Sequence, residues 1–353
     1  MKMKKRILVA PLNWGLGHAT RCIPVIKQLE KAGYEPVLAS DGAALQLLRL
    51  EFPHLDSHEL PSYHIRYAEK ARYFKWRMML DSHKIMAAVR KERALTARLV
   101  GELDLKGIIS DNRLGVCSTL VPSVIITHQL NVLSGNTTWI SSKMHQRIIR
   151  RFDQCWVPDF EQEPNLSGRL GHMKNGAANL VYIGPLSRLR KREVPACYDL
   201  MVVLSGPEPQ RSMLEDILMD RLPEFKGKVL FVRGQIGKQQ CMYKQNNMVV
   251  YNYMNSGQLE KAFNSSTLIL SRSGYTTIMD LAKLGKKAFF IPTPGQYEQE
   301  YLAALLDQEK VVPFCRQDDF SLDKLERSVD YSGFTHLGSC FDLNGLFSLF
   351  EGE

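Results

Sequence analysis

Three residues in the first half carry side chains suited to moving a proton at neutral pH. His18 lies in the turn Gly15-Leu16-Gly17-His18-Ala19-Thr20-Arg21. Asp111 closes the apolar run 107–110, and His128 follows the run 124–127. Imidazole titrates near neutrality, so either histidine can act as a general base, and a carboxylate can orient it. His18 is the first candidate for the base, Asp111 its partner and His128 the rival. The plainer alternative is that His18 caps a helix or binds a phosphate. Gly15 and Gly17 shape this turn, and Thr20 and Arg21 add possible donors to a phosphate. A second group lies in residues 271–301. Arg272, Ser273 and the backbone N–H groups of Gly274 and Tyr275 open a helical pattern, where an anion is favoured. Asp280, two turns in, can accept hydrogen bonds from sugar hydroxyls. Glu298, Gln299 and Glu300 give the following turn the same capacity.

The elements that must hold these residues alternate between strand and helix. Apolar runs at 6–11, 36–39, 107–110, 124–127, 155–158 and 180–183 read as strands of a first domain. Ile23, Ile26 and Leu29 share one face of a helix after the glycine-rich turn, and Gly33 stops it. Runs at 200–204, 229–232, 248–251, 268–270 and 288–291 restart the alternation. The expected architecture is α/β: two doubly wound, Rossmann-like domains facing a cleft, with ligands outside the carboxyl ends of the strands. Gly184-Pro185-Leu186-Ser187-Arg188 and the basic residues to Arg192 read as the linker. That gives domains 1–187 and 188–353. Residues 343–350 suit a short helix that packs back on one of the domains.

Composition bounds the function. The chain has 353 residues, 44% hydrophobic and 24% charged, with no 18-residue apolar run, so no transmembrane helix is expected. The apolar stretch after the basic N-terminus is too short for a signal-peptide core and reads as a first strand. Seven cysteines without a Cys-x-x-Cys suggest reduced thiols and a cytoplasmic setting. No His/Cys spacing points to zinc, and no cofactor is expected. The net charge of +9 is uneven: residues 1–187 carry +10, 188–192 add +4 and 193–353 carry −5. Residues 61–100 hold ten Lys/Arg against three Asp/Glu, with Tyr63, Tyr67, Tyr73, Phe74 and Trp76 interleaved. This suits an anionic acceptor or an anionic membrane surface at the inner face of the membrane, rather than nucleic acid. A solvated helical face is the plainer alternative.

Residues 271–301 closely resemble the donor site of GT-B glycosyltransferases, in particular glycosyltransferase family 28, the MurG-type N-acetylglucosaminyltransferases. That family carries Arg-Ser-Gly, then Thr, then an acid at the spacing of Arg272-Ser273-Gly274, Thr277 and Asp280. The resemblance implies that Asp280 holds the ribose of a UDP-sugar and that Gln299 and Glu300 read the sugar hydroxyls. It makes Arg188, at the family's linker arginine, a diphosphate ligand. It sets Ser205 and Gly206 in a phosphate loop, and Tyr253 and Met254 beside the uracil. Gly17-His18 matches the family's Gly-His step, and 128–131 resembles its His-Glu-Gln-Asn segment. Order and spacing agree along most of the chain, while identity outside 271–301 is low. Four departures matter. Asp280 is one methylene shorter than the usual Glu, Glu300 replaces Gln, and Gln129 replaces an acid. Pro207 and Pro209 remove N–H donors from the phosphate loop. The first turn is closer to a GT-B branch with Gly-x-Gly-His-x-Thr-Arg.

The resemblance implies metal-independent, inverting transfer of a hexosyl group from a nucleotide diphosphate sugar to an acceptor hydroxyl. Three alternatives stand beside it. A GT-B UDP-sugar 2-epimerase shares the donor turn, but its Gly-Thr-Arg-Pro turn is absent here. A dinucleotide oxidoreductase would use Gly15-Leu16-Gly17, yet Thr20 replaces the third glycine. A non-enzymatic binder of an anionic lipid or polyanion leaves the donor turn without a purpose.

Overall fold

In the computed structural model the described residues are 4–63, 74–132, 138–173, 179–206, 208–235, 237, 239–335 and 344–351. The described residues fall into two compact units, divided after Ser187. Residues 344–351 belong to the first unit. The domain that starts at Arg188 therefore does not include the end of the chain.

The first unit is built on seven strands: β1 (Arg6–Pro11), β2 (Glu35–Ser40), β3 (Ser57–Glu59), β4 (Leu105–Asp111), β5 (Ser123–Ile126), β6 (Gln154–Val157) and β7 (Leu180–Tyr182). Their order is β3-β2-β1-β4-β5-β6-β7 and every pairing is parallel. A parallel sheet covered on both faces needs strands that are apolar throughout. Ile7 to Ala10, Val37 to Ala39 and Val124 to Ile126 are accordingly all buried. The helices are α1 (Gly17–Lys31), α2 (Gly42–Glu51), α3 (Phe74–Glu102) and α4 (Thr138–Ile149). The strand order reverses between β1 and β4, so the crevice for a ligand opens at their carboxyl ends. Pro11 and Asp111 are paired there.

The second unit has β8 (Tyr198–Val203), β9 (Val229–Val232), β10 (Met242–Gln245), β11 (Met248–Tyr251), β12 (Ser266–Ser271) and β13 (Lys287–Phe290), in the order β10-β11-β9-β8-β12-β13. Only β10 is antiparallel. Its helices are α5 (Gln210–Arg221), α6 (Ser256–Asn264), α7 (Tyr275–Leu284) and α8 (Tyr297–Gln308). Here the order reverses between β8 and β12, which puts the turns after Val203 and Ser271 at the switch point. Asn255 and Gln258 close a capping box at the start of α6. Gly285 ends α7 at φ 65°, a left-handed position that glycine takes without a Cβ penalty.

Two short strands, β3 and β10, carry no apolar run, and sequence patterning misses both. In the segment 343–350 the described residues Asn344–Phe350 form a 3-10 helix, not an α-helix. Its Phe347 and Phe350 are buried against Trp156, and Tyr34 Oη donates to the Phe347 carbonyl at 3.1 Å. A Cβ on Gly107 would overlap the Phe350 ring, so the glycine makes room for the turn.

Candidate functional site

In the first unit the glycine-rich turn lies between β1 and α1. Gly15 has φ 72°, which lets the chain reverse tightly before the helix. His18 then falls in the first turn of α1, above the carboxyl end of β4. Its Nδ1 lies 2.8 Å from Asp111 Oδ1. The His18 side chain is 14% exposed and that of Asp111 is fully buried. Arg21, one turn further along α1 and 1% exposed, grips both Asp111 oxygens through Nε and Nη2. Its Nη2 is also 3.0 Å from His18 Nδ1, and its Nη1 donates to His128 Nδ1 at 3.4 Å. The two candidate bases and the candidate orienting acid are thus joined through one guanidinium.

Burial works to raise the Asp111 pKa, but the charges of Arg21 and His18 and their hydrogen bonds hold it well below the usual carboxylate range. It is an anion at neutral pH and can only accept. His18 Nδ1 faces this acceptor at 2.8 Å and the Arg21 Nη2 donor at 3.0 Å; with the proton on Nδ1 it donates to Asp111 and leaves the Nε2 lone pair to accept one. Burial, against the pull of Asp111 and with the push of Arg21, lowers the His18 pKa. A neutral imidazole with a basic Nε2 is the form a general base needs.

Two residues expected to add phosphate donors have those donors engaged inside the fold. Arg21 is committed to Asp111. Thr20 Oγ1 donates to the Gly17 carbonyl at 3.0 Å inside the helix. Behind this group, patterning missed a second buried charge network. Arg113 pairs with Asp41 and lies 3.0 Å from Glu92 Oε1, and Tyr63 Oη donates to Glu92 Oε2 at 2.6 Å. Asn13 Nδ2 donates to Asp41 at 3.1 Å. The network ties the turns after β1, β2 and β4 together. Its trace in the sequence is two charges just past strand ends, Asp41 and Arg113, and a glutamate within α3.

In the second unit the turn Arg272-Ser273-Gly274 joins β12 to α7 at the switch point. Arg272 is 2% exposed and donates to the carbonyls of Ile291, Pro292 and Gln210 and to Gln317 Oε1 at 2.7–3.1 Å. Burial lowers its pKa to about 10, so it stays charged. The guanidinium thus braces the β12 and β13 turns from inside, where a phosphate contact was expected of it. Ser273 Oγ likewise donates to the Gln299 carbonyl at 2.8 Å. Gly274, the N-cap of α7, has open space where a Cβ would stand. Thr277 and Asp280, three apart, share one half-buried face of α7, while Ile278, Met279, Leu281 and Ala282 fill the core.

Gln299 Oε1 accepts from the Thr293 N–H, and Glu300 Oε1 from the Gly295 N–H, both at 2.8 Å. These two side chains shape the turn after β13, so reading a sugar falls to their remaining atoms. Ser205 and Gly206, with φ 108°, form an exposed turn after β8, and Pro207 lies outside the described residues. Arg188 Nη1 donates to Ser256 Oγ at 2.9 Å, at the start of α6. Tyr253 and Met254 follow β11 half-buried, with the Tyr253 carbonyl accepting from Gln240 at 2.7 Å.

Of the basic and aromatic segment 61–100, residues 64–73 and the side chains to 85 lie outside the described ones. The described α4 carries exposed Trp139, Lys143, Met144 and Arg147, with Lys143 Nζ 4.1 Å from the Trp139 ring centroid. Arg150 and Arg151 follow, and residues 130–152 contain no Asp or Glu. No helix among the described residues is long and apolar enough to cross a membrane.

Residues 211–333 match the glycosyltransferase family 28 C-terminal domain. The chain is 23% identical over 345 residues to the UDP-N-acetylglucosamine–N-acetylmuramyl-(pentapeptide) pyrophosphoryl-undecaprenol N-acetylglucosamine transferase of Haemophilus ducreyi. That match spans 92% of this chain and 88% of the relative. Among solved structures, Acinetobacter baumannii MurG superimposes with a TM-score of 0.58 at 16% identity, covering 94% of this chain and 92% of its own. LpCGTa, solved in complex with UDP, gives 0.61 at 12% identity over 99% and 100%. The two mainly parallel sheets, the match of residues 211–333 to the family 28 C-terminal domain and the similarity to MurG-type relatives along nine-tenths of the chain make this protein a glycosyltransferase of GT-B fold, similar to the MurG-like enzymes.

Proposed function

We propose that the protein moves a hexosyl group from a UDP-linked sugar to an acceptor hydroxyl, with inversion and without a metal ion. The observation that carries this reading is the His18–Asp111 hydrogen bond at the switch point of the first unit. His18 Nε2 takes the acceptor proton as the hydroxyl oxygen attacks the anomeric carbon. The departing diphosphate gathers donors from the N–H groups of Gly274 and Tyr275, the turn at Ser205 and Gly206, and Arg188. Thr277 and Asp280 face the ribose, Gln299 and Glu300 the sugar, and Tyr253 and Met254 the uracil. The UDP complex of LpCGTa and the UDP-sugar named for the Haemophilus relative support the choice of nucleotide.

Thermal shift and calorimetry with UDP-N-acetylglucosamine, UDP-glucose and NAD test the donor. A UDP-sugar response that survives EDTA, with none to NAD, is expected. Asp280→Asn should weaken that binding by about 1–3 kcal/mol, the scale of a lost charged hydrogen bond. Unchanged affinity in a folded variant removes Asp280 from the site. Sugar epimerised without an acceptor would favour the 2-epimerase.

The acceptor side of the reading is an anionic surface met by the first unit, and the basic face of α4 supports it. Replacing Lys143, Arg147 and Arg150 with Gln should reduce co-sedimentation with phosphatidylserine vesicles, each charge near a bilayer contributing about 1 kcal/mol. Equal sedimentation of variant and wild type would instead leave a soluble anionic acceptor.

A further inference from the structure

We infer that Arg21 is a positioning residue that holds Asp111 as the anion facing His18 and thereby sets the charge of His18, so that the working base is a His18–Asp111–Arg21 group rather than a histidine–aspartate pair. This rests on the reading of His18 as the base.

The argument starts from Asp111. A fully buried carboxylate needs a countercharge, because an isolated buried ion is costly. In a bare pair that countercharge would come from the histidine, and the carboxylate would pull its pKa up. Here Arg21 supplies it, with two parallel N–H···O bonds in the fork geometry that suits a carboxylate. Asp111 and Arg21 together are neutral, so His18 has no need to be an imidazolium.

Arg21 also acts directly. Its Nη2 lies 3.0 Å from His18 Nδ1, the same nitrogen that faces Asp111 Oδ1 at 2.8 Å. Adding a proton to Nε2 would create a second positive charge beside the guanidinium. The groups facing His18 are Asp111 from β4, Arg21 from its own helix and His128 from beyond β5. Of these, Arg21 and His128 oppose its protonation, and burial opposes it most. Cys22, whose Sγ lies 3.6 Å from Asp111 Oδ2, adds only a weak donor to the same carboxylate. The guanidinium meanwhile keeps Asp111 ionised and aimed at Nδ1; although its own Nη2 donor also faces that nitrogen, the closer anion is what favours a proton there and leaves Nε2 basic. Arg21 thus does through His18 what a phosphate ligand could not do. It sets the pH above which the base is ready.

Imidazole NMR of the full chain, labelled at histidine and with His18 assigned through His18→Gln, tests this without any acceptor. In the wild type the His18 midpoint should lie below the ordinary 6.5, with 15N shifts reporting the Nδ1–H tautomer. A midpoint above 6.5, or the Nε2–H tautomer, overturns the inference. In Arg21→Met the midpoint should rise by roughly one pH unit or more, the scale of one adjacent charge. In Arg21→Lys it should stay closer to the wild type. A midpoint unmoved in folded Arg21→Met overturns the inference too. Should Arg21→Met not fold, the wild-type midpoint and tautomer still decide. UDP-sugar binding is measured separately, so failure of the donor reading and failure of the Arg21 reading are distinguishable.

Discussion

The chemistry at residue scale depends on which nitrogen of His18 holds a proton. With Nδ1–H bound to an ionised Asp111, only Nε2 is left to take the acceptor's proton. His18→Ala should therefore lower turnover by about 10²–10⁴-fold, the usual share of a general base, while UDP-sugar affinity stays close to the wild type. Loss of donor affinity with turnover retained would make His18 a phosphate ligand and move the base to His128. The His18–Asp111 contact is legible in the sequence because both residues lie at the carboxyl-end rim of one parallel sheet, Asp111 at a strand end and His18 just past the glycine-rich turn. The part played by Arg21 is not legible. In sequence it is a basic residue next to a glycine-rich turn, as a phosphate ligand would be. Its position one turn beyond His18, on the buried face of α1, aims it inward at Asp111 instead.

The donor turn shows a similar division at the scale of elements. Strand, glycine turn, helix and strand follow from the pattern of residues 268–291, and β12, α7 and β13 lie there. The side chains within that frame divide into ligands and braces by direction, which a residue type does not state. Arg272 points back under the turn and holds four oxygens, while Thr277 and Asp280 stand on the half-buried face of α7. Arg272→Met should accordingly destabilise the protein by about 3 kcal/mol, because buried acceptors lose a charged partner. Urea unfolding reads this directly. A stable variant with weakened UDP-sugar binding would restore Arg272 as a phosphate ligand. The strands β3 and β10 escaped patterning because pairing, not an apolar run, defines them.

At the scale of the whole molecule, half-buried histidines in the first unit make stability depend on pH. His145 falls from the ordinary 6.5 to about 4, mainly through burial, with His128 adding to the effect and a hydrogen bond to the Gln129 backbone opposing it. Below about 6.5 the unfolded chain takes up a proton that the folded chain refuses until about pH 4. The contribution is therefore complete above 6.5 and is lost as pH falls towards 4. His18 acts in the same sense. Urea midpoints at pH 7.5 and 5.0 should drop more in the wild type than in His145→Phe, and an equal drop would exclude His145 as a source. The sequence by itself determined the two α/β units, the turns at the carboxyl ends of their strands and the family of the donor turn. These follow from local apolar periodicity and short motifs. Only the tertiary structure decided that Arg21 and Arg272 are internal braces, that Arg113, Asp41 and Glu92 form one network, and that the chain ends on the first unit. Each of those depends on where a long side chain or a distant segment points once the sheet has formed, and burial penalises every charged group that does not find its partner there.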